Sequence, residues 1–337
     1  MAHRMTRARF VAGATGSTLA SIGVIAAPVR AAQFEYKFAH GSPTNFSSSV
    51  RMVEAWNAVS RETNGRFVVK TFPNGVMGSE LANIGQIRSN TIQFTIIPAI
   101  ALSTVVPNLG MDGLGFAFRD SKAAEAAFDG PLGQYLQQQI VAKGIYAFPT
   151  VINLGMRVIT SSSRPIRNAS DLAGFKIRTQ PGQIAVDLFR TLGASPTPIV
   201  YPEVYLALQT HLVDGQETPY QTIEAAKFYE VQKYLSVTNH QPTVFWLIAN
   251  MESWNALPPD IQQSVNRNVR RAAILQRRDA ILQNDAFADK LRRFGLTFNT
   301  ADGDSMRAAL KPFYTKWKGE FGTTAWDLLE RSTGKLV

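Results

Sequence analysis

The chain has 337 residues, of which 45% are apolar and 18% are charged, and its formal net charge is +10. This composition supports a sizeable hydrophobic core and excludes global disorder. Residues 1–31 hold four arginines and no acidic residue, which leaves 31 basic and 25 acidic residues, a net charge of +6, in the remainder. Its basic residues are not interleaved with aromatic ones, so the composition argues against a nucleic-acid-binding protein.

Residues 1–31 have the layout of a secretory signal peptide. Arginines, including Arg7 and Arg9, precede the charge-free run 11–29, and cleavage is expected after Ala31 or Ala32. A membrane anchor is the alternative, but the run contains three glycines and several hydroxyl residues and is weakly apolar. Arg7 and Arg9 are not adjacent, so the choice between general secretion and the twin-arginine route stays open. We therefore predict a periplasmic protein from which the signal peptide is removed.

The sequence contains no cysteine and four histidines, of which His40, His211 and His240 follow the signal peptide. The absence of cysteine excludes thiolate catalysis, cysteine-based zinc sites and iron–sulfur ligation. The three histidines do not have the spacing of metal ligands. We predict no catalytic residue, no cofactor and no metal site formed by the chain itself, and leave open whether a metal accompanies a ligand.

Short strands alternate with helices in the first half of the chain, which is typical of an α/β architecture. We predict strands at 34–38, 67–72, 94–97, 145–151 and 156–160 and helices at 47–64, 79–89 and 121–143.

The alternation continues after the turn-rich break at 161–165. We predict a strand at 176–179, a helix at 183–192, strand–helix units at 197–209 and 213–227, and strands at 234–238 and 244–250. From the proline pair at 258 and 259, one apolar stripe continues to about residue 293, where about 34 helical residues would span roughly 50 Å. Two helices broken near Asn284 are the alternative.

Four segments between Phe175 and Tyr220 carry the most specific signal in the sequence. They are FKIRT at 175–179, LGASPTP at 192–198, EVYLALQT at 203–210 and DGQETP at 214–219. In this order they resemble the periplasmic substrate-binding proteins of TRAP transporters, the DctP-type family. The resemblance extends from Phe34 to about Phe321.

The resemblance implies an α/β, two-lobed periplasmic binding protein fold, with a ligand cleft between the lobes and a long helix bracing both. Lobe I is expected at 32–155 plus about 240–285, and lobe II at 156–239 plus about 286–337. The implied function is binding of a small organic acid by domain closure, without bond chemistry, and its delivery to the TRAP membrane permease subunits. The expected protein is a monomer or a homodimer.

Arg178 and Arg157 are the residues that the resemblance assigns to the carboxylate of the ligand. On the predicted strand the side chain of Arg178 points to the face opposite to Ile177 and Thr179. Its planar guanidinium can donate two parallel hydrogen bonds. Arg157 lies in the segment 154–160, which resembles the Gly-x-Arg segment of the family.

The remaining site residues are also implied by the resemblance. They are Thr218, Tyr201, Phe46, Pro98, Phe116 and Trp246. Thr218 stands where family members commonly have asparagine, and Ile97, Pro98 and Ala99 stand where relatives that bind polyhydroxylated acids are polar. These departures predict a monocarboxylate with an apolar or aromatic body rather than a sugar acid.

Two other functional classes are weighed against a binding protein. An exported hydrolase would use Asp214 and Glu217 as a carboxylate pair, but three residues of separation at a strand end favours different directions and architectural roles. A scaffold that has lost ligand binding would be favoured if Arg178 were buried against an internal carboxylate.

Overall fold

The computed structural model describes residues 32–337, and the predicted signal peptide lies outside the described residues. The strands are β1 (Phe34–Ala39), β2 (Phe67–Phe72), β3 (Phe94–Pro98), β4 (Ile145–Ala147), β5 (Ile152–Met156), β6 (Val158–Ser161), β7 (Lys176–Thr179), β8 (Ser195–Pro198), β9 (Gly215–Thr218), β10 (Tyr234–Val237), β11 (Pro242–Asn250) and β12 (Thr297–Thr300). The helices are α1 (Ser47–Glu62), α2 (Glu80–Arg88), α3 (Ala99–Leu102), α4 (Ser121–Asp129), α5 (Pro131–Val141), α6 (Gln183–Thr191), α7 (Val204–Gln209), α8 (Tyr220–Ala225), α9 (Met251–Asn255), α10 (Pro259–Arg293), α11 (Gly303–Ala309), α12 (Lys311–Phe321) and α13 (Thr323–Thr333), with short 3₁₀ helices at Pro107–Gly113, Ala169–Leu172, Tyr201–Glu203 and Phe228–Glu230.

The first sheet has the strand order β2-β1-β3-β11-β4, and β5 also pairs with β11. Strand β1 is parallel to β2 and β3, whereas β11 is antiparallel to its three neighbours. Every residue of β3 is buried, as expected of a strand covered on both faces. Strand β1 alternates between partly exposed and exposed residues before it enters the core.

The second sheet has the order β12-β10-β6-β9-β7-β8. Strand β7 is parallel to β8 and β9, and β6 is antiparallel to β9 and β10. In this register Arg178 of β7 pairs with Gln216 of β9, and Glu217 pairs with Ile159 of β6. The sheet therefore brings Arg178 and the DGQETP segment at 214–219 side by side.

The chain passes directly from the first sheet to the second at two adjacent places. Strand β5 leads into β6 through Arg157 alone, and β10 leads back into β11 through residues 238–241. The two connections are hydrogen-bonded to each other, since the Arg157 N–H donates to the Gln241 carbonyl at 2.8 Å. Gly155, next to the first connection, has a φ of +106°, a conformation that favours glycine.

Helix α10 is a single helix of 35 residues, so the prediction of one long helix is confirmed. Its first half packs with α1 and the first sheet, and Leu291 near its end belongs to the core beside the second sheet. At its middle, the fully buried Gln276 binds both the N–H and the carbonyl of Asn153, each at 3.1 Å. The helix thus packs beside both sheets and is hydrogen-bonded next to the place where β5 leads into β6.

The predicted helix 121–143 is wrong as one element, because the structure has α4 and α5 separated at Gly130. Pro131 follows this glycine, and its ring and missing N–H are tolerated only in the first turn of a new helix. Strand β12 and helices α11 to α13 were not predicted from the sequence.

The C-terminal helices pack on several parts of the fold. Helix α12 contacts α6, and α13 contacts α4 and α5. One large core cluster accordingly joins residues of both sheets with Phe313, Trp317 and Trp326. The α/β fold with two sheets is confirmed, whereas the boundaries predicted for the two lobes stay a prediction. None of the helices within 32–337 combines the length and the apolar character needed to cross a membrane.

We predict that Gln276→Ala lowers the free energy of unfolding by about 2–4 kcal/mol, because it leaves the buried N–H and carbonyl of Asn153 without their partner. Urea unfolding followed by circular dichroism measures the effect. The matched control is Gln263→Ala on the exposed face of the same helix, which should change the free energy by less than about 0.5 kcal/mol. Equal effects of the two substitutions would contradict this role of Gln276.

Candidate functional site

A cavity lies where the ends of the two sheets meet, and the space between protein atoms there, including the part that is open to solvent, is about 530 Å³. It is lined by Gly41, Ser42, Phe46, Glu80, Ile96, Pro98, Leu154, Arg157, Arg178, Gln180, Tyr201, Thr218, Thr222, Thr243 and Phe245. The predicted site residues Phe46, Pro98, Arg157, Arg178, Tyr201 and Thr218 are therefore brought together.

Arg178 presents a buried positive charge to the cavity. Its side chain is anchored by the carbonyl of Ile199, which accepts from Nε at 2.9 Å and from Nη2 at 2.6 Å. Within the described residues no hydrogen bond is made by Nη1, so the outer edge of the guanidinium is left for a ligand. Burial lowers the pKa of Arg178 to about 10, and the group stays charged at neutral pH. A buried cation bound only to a neutral carbonyl is a strong anion site.

Arg157 has a different environment, because it is buried against an internal carboxylate. Its Nη2 donates to Glu217 Oε1 at 2.9 Å, and its Nε donates to the other carboxylate oxygen. Its Nη1 is directed at Thr243, whose hydroxyl lies 3.4 Å away, on the cavity wall. The arginine buried against a carboxylate is thus Arg157 and not Arg178, so the condition that would favour a scaffold without ligand binding is not met.

Glu217 is the centre of this buried network. Its second carboxylate oxygen lies 3.3 Å from His240 Nε2, and the Thr238 hydroxyl lies 2.8 Å from His240 Nδ1. Burial alone would raise the pKa of Glu217, but the charge of Arg157 and the hydrogen bonds from His240 and Arg157 lower it to about 2. Burial also lowers the pKa of His240, and Glu217 offsets this only in part. The network is therefore an ion pair with a neutral imidazole.

The other wall of the cavity supplies polar groups that the sequence analysis did not identify. Glu80 is buried in the first turn of α2, and its carboxylate accepts from the backbone N–H of Tyr201 at 3.3 Å. This contact joins α2, beside the first sheet, to the segment that follows β8 of the second sheet. Gln180, Thr222 and Thr243 add further hydrogen-bonding groups to the lining.

Tyr201 and Thr218 each present a hydroxyl group in this region. Burial raises the pKa of Tyr201 to about 12, in spite of the nearby Arg178, so its hydroxyl stays a donor. Thr218 is the last residue of β9 and lines the cavity one position after Glu217.

Phe116 and Trp246, predicted as walls of the site, do not line the cavity. In the antiparallel register of β11 and β3, Trp246 pairs with Ile97 and Phe245 pairs with Pro98. Paired residues share one face of a sheet, so Phe245 and Pro98 reach the cavity while Trp246 and Ile97 enter the core.

Phe116 belongs to a packing cluster away from the cavity lining. Its ring centroid lies 6.3 Å from that of His240, and its backbone has a φ of +57°.

Several lining residues could have been found by extending the strand period from residues already identified. Gln180 lies two positions after Arg178, and Ile96 lies two positions before Pro98, as expected of one strand face. Glu80 carried no such signal, since an acidic residue in a first helical turn is ordinary capping chemistry.

The carboxylates of Asp214 and Glu217 do not form a catalytic pair. Asp214 accepts from the backbone N–H of Lys176 at 3.1 Å, whereas Glu217 is held by Arg157 inside the network. Both carboxylates therefore have architectural partners, and the hydrolase alternative has no support here. Among residues 32–337, no group of three or more histidine or acidic side chains is placed to hold a metal ion.

The α/β fold has a cavity between its two sheets, one long helix along both, and a buried arginine at the cavity. These features are typical of solute-binding proteins for small anions. The chain belongs to the family described as bacterial extracellular solute-binding protein, family 7 (DctP), whose model matches residues 38–320. The family predicted from the four segments is thereby confirmed.

Known proteins of this family are similar along most of the chain. The 2,3-diketo-L-gulonate-binding periplasmic protein YiaO of Escherichia coli is 28% identical over 292 residues, covering 87% of this chain and 86% of that protein. The crystal structure of the sugar acid binding protein DctPAm from Advenella mimigardefordensis with galactonate has a TM-score of 0.86 at 27% identity, covering 90% and 98%. A TRAP periplasmic solute-binding protein from Polaromonas bound to D-erythronate has a TM-score of 0.85 at 29% identity, covering 89% and 98%.

We predict that Glu217→Gln lowers the free energy of unfolding at pH 7 by about 3–5 kcal/mol, because Arg157 then keeps a buried charge without a counter-charge. The pKa of Glu217 is depressed from 4.5 to about 2, so its contribution is complete above pH 4.5 and is lost as the pH falls toward 2.

The stability difference between wild type and Glu217→Gln should therefore shrink as the pH falls from about 4.5 to about 2. Chemical unfolding at a series of pH values measures it. Glu203→Gln, at an exposed carboxylate, is the control and should follow the wild type. A difference that is constant over this pH range would contradict the assigned ion pair.

Proposed function

We propose that this protein is the periplasmic solute-binding component of a TRAP transporter and that it binds a sugar acid for delivery to the membrane permease. The observation that carries the proposal is Arg178, a buried cation whose inner edge is held by a backbone carbonyl and whose outer edge faces the cavity. A carboxylate is the anion that matches this planar edge with two parallel hydrogen bonds.

The polar lining supports a polyhydroxylated body for the ligand. Glu80, Gln180, Thr222 and Thr243 offer acceptors and donors around the cavity, and Ser42 lies in the same lining. An apolar body would leave such buried groups without partners, at about 1–3 kcal/mol each. The similar proteins named for 2,3-diketo-L-gulonate, galactonate and D-erythronate support the same class.

This proposal replaces the ligand expected from the sequence, a monocarboxylate with an apolar or aromatic body. That expectation used Phe116, Trp246 and Ile97 as apolar walls, and none of the three lines the cavity. Phe46, Pro98 and Phe245 remain as apolar lining. In the proposed complex they cover the carbon skeleton, while the polar groups take the hydroxyls.

Arg157 has a divided role in this proposal. Two of its nitrogens are occupied by Glu217, which fixes the side chain, and Nη1 remains directed at the cavity beside Thr243. It therefore contributes one hydrogen-bonding nitrogen to the ligand, where Arg178 contributes a full edge.

In this proposal the two halves of the fold, each built around one of the two sheets, close around the ligand, and no covalent bond is made or broken. Glu80 of α2 accepts from the N–H of Tyr201, which follows β8 of the second sheet, and the Ser47 hydroxyl of α1 lies 3.4 Å from Gln221 Oε1 of α8. In this proposal, ligand contacts from both sheets add to these two contacts and favour the closed state.

We predict that Arg178→Ala weakens sugar acid binding by about 3–5 kcal/mol, at least a hundredfold in Kd, because the ligand carboxylate loses its buried counter-charge. Arg178→Lys should also lose most of the affinity, since an ammonium cannot present the two parallel donors. Isothermal titration calorimetry with galactonate and D-erythronate measures both.

Arg119→Ala, at a side chain that is 86% exposed, is the matched control and should leave the affinity unchanged. The assignment of Arg178 would be abandoned if its alanine variant bound within threefold of wild type. Binding of neutral sugars as tightly as of their acids would argue against a carboxylate site altogether.

We predict that saturating sugar acid decreases the radius of gyration measured by small-angle X-ray scattering, because ligand contacts to both halves favour the closed state. Arg178→Ala at the same ligand concentration is the control and should keep the ligand-free curve. A scattering curve that does not respond to a bound ligand would indicate a rigid, preformed pocket.

A further inference from the structure

The charges that face the cavity are few and nearly balanced. Its lining contains two cations, Arg157 and Arg178, and one carboxylate, Glu80, among the residues that the structure describes. Arg157 is already neutralised by Glu217, which lies behind it. The charges of Arg157 and Glu217 both act on Asp112, but burial raises the pKa of Asp112 well above the usual value and favours its neutral form. Arg178 therefore supplies the net positive charge and Glu80 the net negative charge of the lining.

Glu80 is held in place by the protein itself. Its Oε1 accepts from the Tyr201 N–H, and Tyr201 follows Ile199, the carbonyl that anchors Arg178, by two residues. The cation and the carboxylate are thus attached to the same short segment, and the charge of Glu80 acts on Arg178. Within 32–337 Glu80 has no ion-pair partner at salt-bridge distance.

We infer that Glu80 limits the ligand to a single negative charge, and selects sugar monoacids against the corresponding diacids. This inference rests on the proposed function and names the charge of its substrate class. One ligand carboxylate binds the free edge of Arg178, which forms no ion pair at salt-bridge distance within residues 32–337. A second carboxylate would find no further unpaired cation in the lining and would share a desolvated space with the Glu80 carboxylate.

The Glu80 carboxylate readily accepts hydrogen bonds from hydroxyl groups, so it has opposite effects on the binding of sugar monoacids and of sugar diacids. A hydroxyl donates to a carboxylate in a charge-assisted hydrogen bond, which is stronger than a neutral one. A carboxylate has no proton to donate at neutral pH and is repelled. Selectivity therefore follows from the charge of Glu80 rather than from the size of the cavity.

Galactonate and galactarate test this inference, because they share six carbons and four hydroxyl configurations and differ at one end. That end is a hydroxymethyl group in galactonate and a second carboxylate in galactarate. For the wild-type protein we expect galactonate to bind at least about a hundredfold more tightly at pH 7.5, as judged by isothermal titration calorimetry.

Glu80→Gln removes the charge but keeps the shape and an oxygen that can accept from the Tyr201 N–H. We expect the galactonate-to-galactarate ratio to fall by at least about tenfold in this variant, mainly through tighter galactarate binding. Glu203→Gln is the matched control, since it removes an exposed carboxylate from the 3₁₀ helix Tyr201–Glu203 beside the cavity. It should keep the wild-type ratio.

The outcomes separate the inference from the proposed function on which it rests. Failure of galactonate, D-erythronate and hexuronates alike to bind the wild type would overturn both. Tight and equal binding of galactonate and galactarate by the wild type would overturn the inference alone, without reference to any variant. A ratio that stays within threefold of wild type in Glu80→Gln, with an unchanged unfolding midpoint, would overturn it as well.

Discussion

The buried ion pair between Arg157 and Glu217 is the interaction on which the arrangement of the cavity depends. Arg157 is the single residue between β5 of the first sheet and β6 of the second, and its backbone N–H is hydrogen-bonded to the returning connection at Gln241. Glu217 holds its side chain, and His240 from that returning connection completes the network. A buried charge pair is costly to separate, so the chain crosses between the sheets in one defined geometry.

The crossing between the sheets is also held by the long helix α10. Gln276 fastens the middle of the long helix to the backbone of Asn153, close to the same crossing. Across the cavity, Glu80 of α2 accepts a hydrogen bond from the backbone N–H of Tyr201. Motion is therefore expected to concentrate away from the network, and the ligand can add the contacts that favour closure.

The electrostatics of the site assign different tasks to two arginines that look equivalent in the sequence. Arg157 is neutralised by its own protein partner, while Arg178 keeps a free edge and is anchored by a neutral carbonyl. Only a group without an internal counter-charge gains substantially from an incoming anion. The buried position of Arg178 thus makes it the dominant attraction for a carboxylate, and Arg157 chiefly fixes the geometry around it.

The sequence by itself determined the family and the α/β alternation, because both follow from contiguous motifs or local periodicity. It predicted the single long helix and the place of Arg178 at the ligand cleft only through the resemblance to that family. It did not determine the break at Gly130 or the positions of Trp246 and Glu80. Which of two adjacent aromatic residues faces the cavity depends on the register of β11 against β3, and that register is set by residues far away in the chain. Glu80 reaches the cavity only because folding brings α2 against the segment at Tyr201, more than a hundred residues later in the sequence. Contacts of this kind are decided by the packing of the whole chain, so only the tertiary structure placed Glu80 in the lining.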